Sequence, residues 1–286
     1  MKNLAVFPLI LSTVLTIASC GSADKTIQTQ NPVLTNTQST IAATTDSIDY
    51  QDYAEVLKTY VTNEGLVDYQ ELQKNREQLD RFNQSIGSLS PEVYRSWSDA
   101  EKLSFLINAY NAFTLQSIID QQPLKSSIRK IPGVWKRRQF AIANEQKTLD
   151  NIEHDTIRQE FNEPRIHGAL VCAAMSCPPL RNEPYLPEKL DAQLEEQIQQ
   201  WLASPQGLNI DRQQNKVELS AIFDWYGKDW IASYEVDDNF FAGNKKEKAV
   251  LNFISQYLDP QQRQYLEAGN YKVDYLDYDW ALNKLS

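Results

Sequence analysis

Three side chains with reactive chemistry stand within eleven residues: His167, Cys172 and Cys177, in Arg165-Ile-His-Gly-Ala-Leu-Val-Cys-Ala-Ala-Met-Ser-Cys-Pro-Pro-Leu180. The chain has 3 Cys and 2 His, so this cluster holds most of its soft ligands and nucleophiles. A thiolate kept ionised by His167 would attack an electrophilic centre, and the imidazolium would then protonate the leaving group. If 166–172 is a strand, His167 and Cys172 point to opposite faces. If it is a helix, they lie ~140° apart. Cys177, past the end of the segment, is the less constrained nucleophile. Two other readings stand beside this one. A Cys172–Cys177 disulfide suits an exported domain with two cysteines. Two buried thiols beside a hydrogen-bonded core histidine are an ordinary fate for both residue types. A metal site is not expected, because neither C-x2-C nor H-x3-H is present. His154, in a polar segment, reads as solvated.

A second constellation is Asn108 and Asn111 in Phe105-Leu-Ile-Asn-Ala-Tyr-Asn-Ala112. On a helix they lie ~60° apart. A buried carboxamide without partners costs on the order of 1–3 kcal/mol, so each needs bonds. They either lock a neighbouring loop or sit at the floor of a pocket, binding a ligand or orienting His167. Arg165 pairs with a carboxylate or binds an anion. Tyr110, Trp225 and Tyr226 are further candidates for lining a ligand groove, with Tyr278 and Trp280, although aromatics at such spacings also build cores. No G-x-S-x-G, P-loop, G-x-G-x-x-G or H-E-x-x-H occurs. With 9 glycines in 286 residues, a phosphate cradle has little material, so neither nucleotide nor cofactor is expected.

These side chains need elements to hold them. Ser98-Asp-Ala-Glu101 is a capping box opening a long helix to about Gln121, apolar nearly all round and therefore buried. The spacing predicts helices over 50–61, 70–87, 150–161, 187–203 and 246–258, and a short one from a Ser220 cap through Tyr226. Strands are expected at 65–69, 139–144 and 271–280, with a hairpin of 208–210 and 217–219. No internal repeat and no linker interrupts residues 50–286. The expected architecture is one α+β domain: a long buried central helix packed against a small, mainly antiparallel sheet, with several peripheral helices.

Lys2 precedes a 14-residue apolar run, Leu4–Ile17, too short for a comfortable membrane span. The run ends in Ile17-Ala-Ser-Cys20, similar to a bacterial lipoprotein signal, with Cys20 as the acylation site. Residues 1–19 are expected to be removed, and 20–48, rich in Ser, Thr and Gln, to form a flexible tether. The domain would then be exported and held to a membrane by lipid on Cys20 alone. The formal charge of −10 becomes −11 once Lys2 leaves, with 27 cations against 38 acids. That balance argues against nucleic acid, whose affinity rests on cations meeting phosphates.

Taken with Ile222-Phe-Asp-Trp-Tyr226 followed by Asp229, and with Tyr278-Asp-Trp280, the two motifs above resemble the DUF547 family, a domain of unknown function in bacterial exported proteins and plants. The resemblance spans about Tyr50 to Asn283. It implies an α+β domain distantly similar to papain- or transglutaminase-type folds, with a buried helix on a sheet and a His on a strand. In those folds the nucleophilic Cys opens the central helix. Here that helix carries Asn108 and Asn111, so the likeness implies a nucleophile at Cys172 or Cys177, or a relative without catalysis. The position after the family's His is often a bulky aromatic, and Gly168 in its place is expected to loosen packing beside His167. Two functions follow as expectations: a thiol-dependent hydrolase or acyl transferase with His167 as base and Asn108 or Asn111 orienting, or a non-catalytic module binding a peptide, glycan or envelope partner around Asn108, Asn111, Arg165 and His167. A purely structural envelope role is the remaining reading.

Overall fold

The computed structural model describes residues 47–237 and 239–285. The expected signal segment and Cys20 lie outside the described residues, as does nearly all of the expected tether. Among the described residues no helix is long and apolar enough to cross a membrane.

The first helices are α1 (Gln51–Tyr60), α2 (Tyr69–Lys74), α3 (Glu77–Ser88), α4 (Pro91–Ser96) and α5 (Asp99–Ile119). The single helix expected over 70–87 is two. Asn75 leaves helical geometry at the end of α2, and its side chain donates to the Glu71 carbonyl at 3.0 Å, the local competition with the helical ladder that short amides offer. The strand expected at 65–69 reduces to isolated bridges of Val67 with Val61 and Lys284.

The capping box at Ser98 and Glu101 is formed, and α5 is buried along most of its length. Its hydroxyl residues cause no deficit there. Ser104, Thr114 and Ser117 each donate to the carbonyl four residues back. Helices α2 and α3 pack on α5, and Phe113 stacks on Phe140 at 4.4 Å. Phe140 belongs to β1 (Phe140–Ile142), paired antiparallel with β2 (Glu145–Lys147). Between them Ala143 and Asn144 both take positive φ, 47° and 59°, the backbone of a tight hairpin turn.

A π-helical segment, Asn151–Ile157, runs into α6 (Arg158–Glu160), and is followed by α7 (Ile166–Ala169) and α8 (Leu190–Ala203). Then come β3 (Leu208–Asp211), β4 (Lys216–Leu219), α9 (Ala221–Tyr226), a 3-10 turn at Gly227–Trp230, α10 (Ile231–Tyr234), α11 (Lys245–Ser255), α12 (Pro260–Ala268) and β5 (Lys272–Tyr275). The expected hairpin forms, with Leu208 opposite Leu219. The closing strand is shorter than expected and joins β4 in parallel, Val217 opposite Val273. The architecture is α+β with small sheets and several peripheral helices.

Two apolar clusters fill the domain, one around α5 and one around α11 and the β3–β4–β5 sheet. Helix α8 serves both: Leu190 and Leu194 enter the first, and Ile198, Trp201 and Leu202 the second. The seam between them is where the candidate site lies.

Candidate functional site

Short α7 carries His167 into this seam, its side chain 2% exposed. Its ring lies between Tyr226 of α9, at 4.5 Å, and Trp230, at 5.2 Å between centroids. Nε2 is 2.8 Å from Asp229 Oδ2. Asp229 sits in the 3-10 turn after α9, where Arg158 at the start of α6 grips it with two bonds, Nε to Oδ2 at 2.7 Å and Nη2 to Oδ1 at 2.8 Å. Burial opposes ionisation of Asp229, but hydrogen bonds and charge from His167 and Arg158 outweigh it and hold the carboxyl well below the usual carboxylate range. An ionised Asp229 can only accept, so His167 donates from Nε2, and in the tautomer that carries only that proton the lone pair falls on Nδ1. Nδ1 has no hydrogen-bond partner among the described residues. A histidine oriented by a carboxylate, with its second nitrogen free, has the geometry that a general base requires.

His167 lines a cavity of about 400 Å³. The walls are aromatic: Tyr110 of α5, Trp135, Trp225 and Tyr226 of α9, and Tyr278 and Trp280 beyond β5. Trp225 and Trp280 stack 5.8 Å apart at 14°. Asp150, Glu153 and His154 supply polar lining. The Tyr110 hydroxyl donates to Glu153 Oε2 at 3.0 Å; burial, then the Glu153 charge, pushes the Tyr110 pKa well up. His154 is not simply solvated, as the sequence suggested. Arg158 donates to its Nδ1 at 2.9 Å, which leaves the ring proton on Nε2, 3.7 Å from Asp150.

Cys172 and Cys177 form a disulfide, and both line the cavity. Of the readings open from sequence, this is the one the structure adopts, and in this state neither cysteine offers a thiolate to His167. Cys177 Sγ accepts the Cys172 N–H at 3.0 Å, and the Tyr278 hydroxyl lies 3.1 Å from each sulfur.

Other residues singled out from sequence lie elsewhere. Asn108 donates to the Tyr185 carbonyl at 2.7 Å and accepts the Tyr185 N–H at 2.9 Å. Asn111 does the same for the 169–171 turn, donating to Ala169 O and accepting from Val171 N, both at 2.9 Å. Both amides clamp backbone, and the group that orients His167 is Asp229. Arg165 points its guanidinium at Glu163, Asp191 and Glu195, at 2.6, 2.8 and 3.4 Å, and is not part of the cavity wall. Gly168 does not loosen packing: a Cβ there would stand 2.6 Å from Ile198 Cδ1 and 3.4 Å from Trp201. Trp225, Tyr226 and Tyr110 do meet at the cavity.

Sequence reasoning did not assign roles to Asp229, Arg158 and Glu153. The two acids carry a signal in the sequence. Asp229 is an acid amid Trp225, Tyr226 and Trp230, and Glu153 lies among Ile152, Thr156 and Ile157, all buried. An acid inside an apolar run needs a partner.

No curated protein and no solved structure matches the chain. Residues 94–202, which contain both asparagine clamps, His167 and the cysteine pair, match the family described as protein of unknown function, DUF547.

Proposed function

We propose that the cavity is a catalytic pocket in which Asp229-oriented His167 acts as general base, drawing a proton from water or an acceptor hydroxyl as it attacks the acyl carbon of an ester or amide bound against the aromatic walls, and passing that proton to the alcohol or amine released as the C–O or C–N bond breaks. The observation that carries this reading is the 2.8 Å Nε2–Asp229 bond, with Nδ1 left without a partner, on a histidine that lines the cavity. The reaction is the hydrolase or acyl-transfer class, with the protein thiol of the sequence reading replaced by an external nucleophile. A panel of chromogenic esters and amides tests it. His167→Gln should lower kcat/KM on the preferred substrate by about 10²–10⁴-fold, the usual worth of a positioned base. Equal turnover by wild type and His167→Gln across the panel, or none by either, overturns the proposal.

A second reading is a binding module without chemistry, favoured by Trp225, 48% exposed yet stacked on Trp280 of the cavity wall. Exposed indole faces suit sugar rings or cationic groups, with Asp150 and Glu153 as acceptors. Quenching of tryptophan fluorescence by oligosaccharides, unchanged in His167→Gln and without turnover, would select it. In either case we place the domain on a membrane surface through lipidated Cys20, on the strength of the Leu4–Ile17 run and Ala18-Ser-Cys20. Metabolic labelling with a fatty acid, lost in Cys20→Ser, tests that.

A further inference from the structure

We infer that the Cys172–Cys177 disulfide is an exchangeable bond of the cavity wall, at which an incoming thiolate attacks Cys172 Sγ and Cys177 leaves. The inference is independent of base chemistry at His167. Exposure separates the two cysteines. Cys177 is 6% exposed and counts among the core, whereas Cys172 is only half-buried. Leaving-group stabilisation separates them in the same direction. Cys177 Sγ already receives the Cys172 N–H at 3.0 Å and faces the Tyr278 hydroxyl at 3.1 Å, so two donors await a Cys177 thiolate. Cys172 Sγ has only its share of Tyr278. Thiol exchange is faster when the departing sulfur is the better-stabilised anion and the attacked sulfur is the open one. Burial raises the Tyr278 pKa, so its hydroxyl keeps the proton it must donate.

The backbone supports repeated opening and closing. Ala173, between the cysteines, takes φ 59°, a left-handed conformation that a non-glycine residue holds only under constraint. The rest of the loop is tied down independently of the sulfurs: Met175 N–H donates to Ala281 O at 2.8 Å, Ser176 N–H to Asp279 O at 3.2 Å and Cys177 N–H to Ala174 O at 3.1 Å. An opened pair therefore stays within reach for reclosure.

The reductant is a small or peptidyl thiol that enters the cavity. Its thiolate forms a new S–S bond to Cys172 as the Cys172–Cys177 bond breaks, and the electron pair goes to Cys177. A second thiol then displaces the first as a disulfide. Two thiols are oxidised to one disulfide, and their two protons and two electrons end on the cysteines.

Reduced glutathione, added in excess to folded protein and acid-quenched over time, tests this. Peptide mass mapping should find the mixed disulfide on Cys172, forming at a rate that does not change with low urea. Tyr278→Phe should slow the step about fivefold or more. An adduct on Cys177, or opening only in step with global unfolding as urea rises, overturns the inference. Both of those readings come from wild-type protein, so the outcome stands even where Tyr278→Phe does not fold.

Discussion

His167, Asp229 and Arg158 come from three elements, and each fixes the next. Replacing Asp229 by Asn keeps the shape and removes the charge on which both partners depend. A carboxylate held below its ordinary pKa adds stability that is fully present above the unfolded value, near pH 4, and is lost as pH falls below it. Asp229→Asn should therefore cost about 1–3 kcal/mol at pH 7, because Arg158 and His167 lose a partly buried partner, and the penalty should shrink toward pH 3. Urea unfolding across that range measures it. Gly168 makes a different prediction. Its missing side chain is where Ile198 and Trp201 of α8 close on α7. Gly168→Ala should destabilise by about 1–3 kcal/mol through overpacking, read as a lower urea midpoint at unchanged m-value.

At the level of elements, the two asparagines of α5 act as strand edges placed on a helix. Each offers a donor and an acceptor to one loop, Asn108 to Tyr185 and Asn111 to the turn that follows α7. Asn111→Ala would strand a buried N–H and a buried carbonyl and should cost about 2–4 kcal/mol. Because α7 carries His167, the same change should broaden the His167 ring signals in NMR spectra. Much of α5 was legible in advance: a capping box and an apolar surface all round specify a buried helix with a defined start. The break at Asn75 was not, since its one local bond competes against an otherwise intact helical period. Nor was the partner of His167. Asp229 stands 62 residues away, and nothing in a linear pattern tells which of many acids a fold will bring home. The cysteine pair was legible as alternatives only, because its outcome turns on a loop conformation, Ala173 at positive φ, that alanine does not announce.

For the molecule as a whole, the disulfide closes a loop with a sequence separation of 5, so the chain-entropy gain is small, about 2 kcal/mol. Reduced protein should remain folded, with a thermal midpoint a few degrees lower and a near-ultraviolet spectrum close to that of the oxidised form. The main restraint on the cysteine loop lies elsewhere. Residues 278–285 run as a strap, bonding to Ala173, Met175 and Ser176 on one side and to Val67 on the other. Tyr278 and Trp280, on that strap, are also cavity wall. The sulfurs and the Tyr278 hydroxyl that touches them are separated by 101 and 106 residues. During synthesis the cysteine loop therefore emerges long before its strap, and the two sulfurs exist while their pocket does not. Pairing at that stage would precede the enclosure that later shields Cys177.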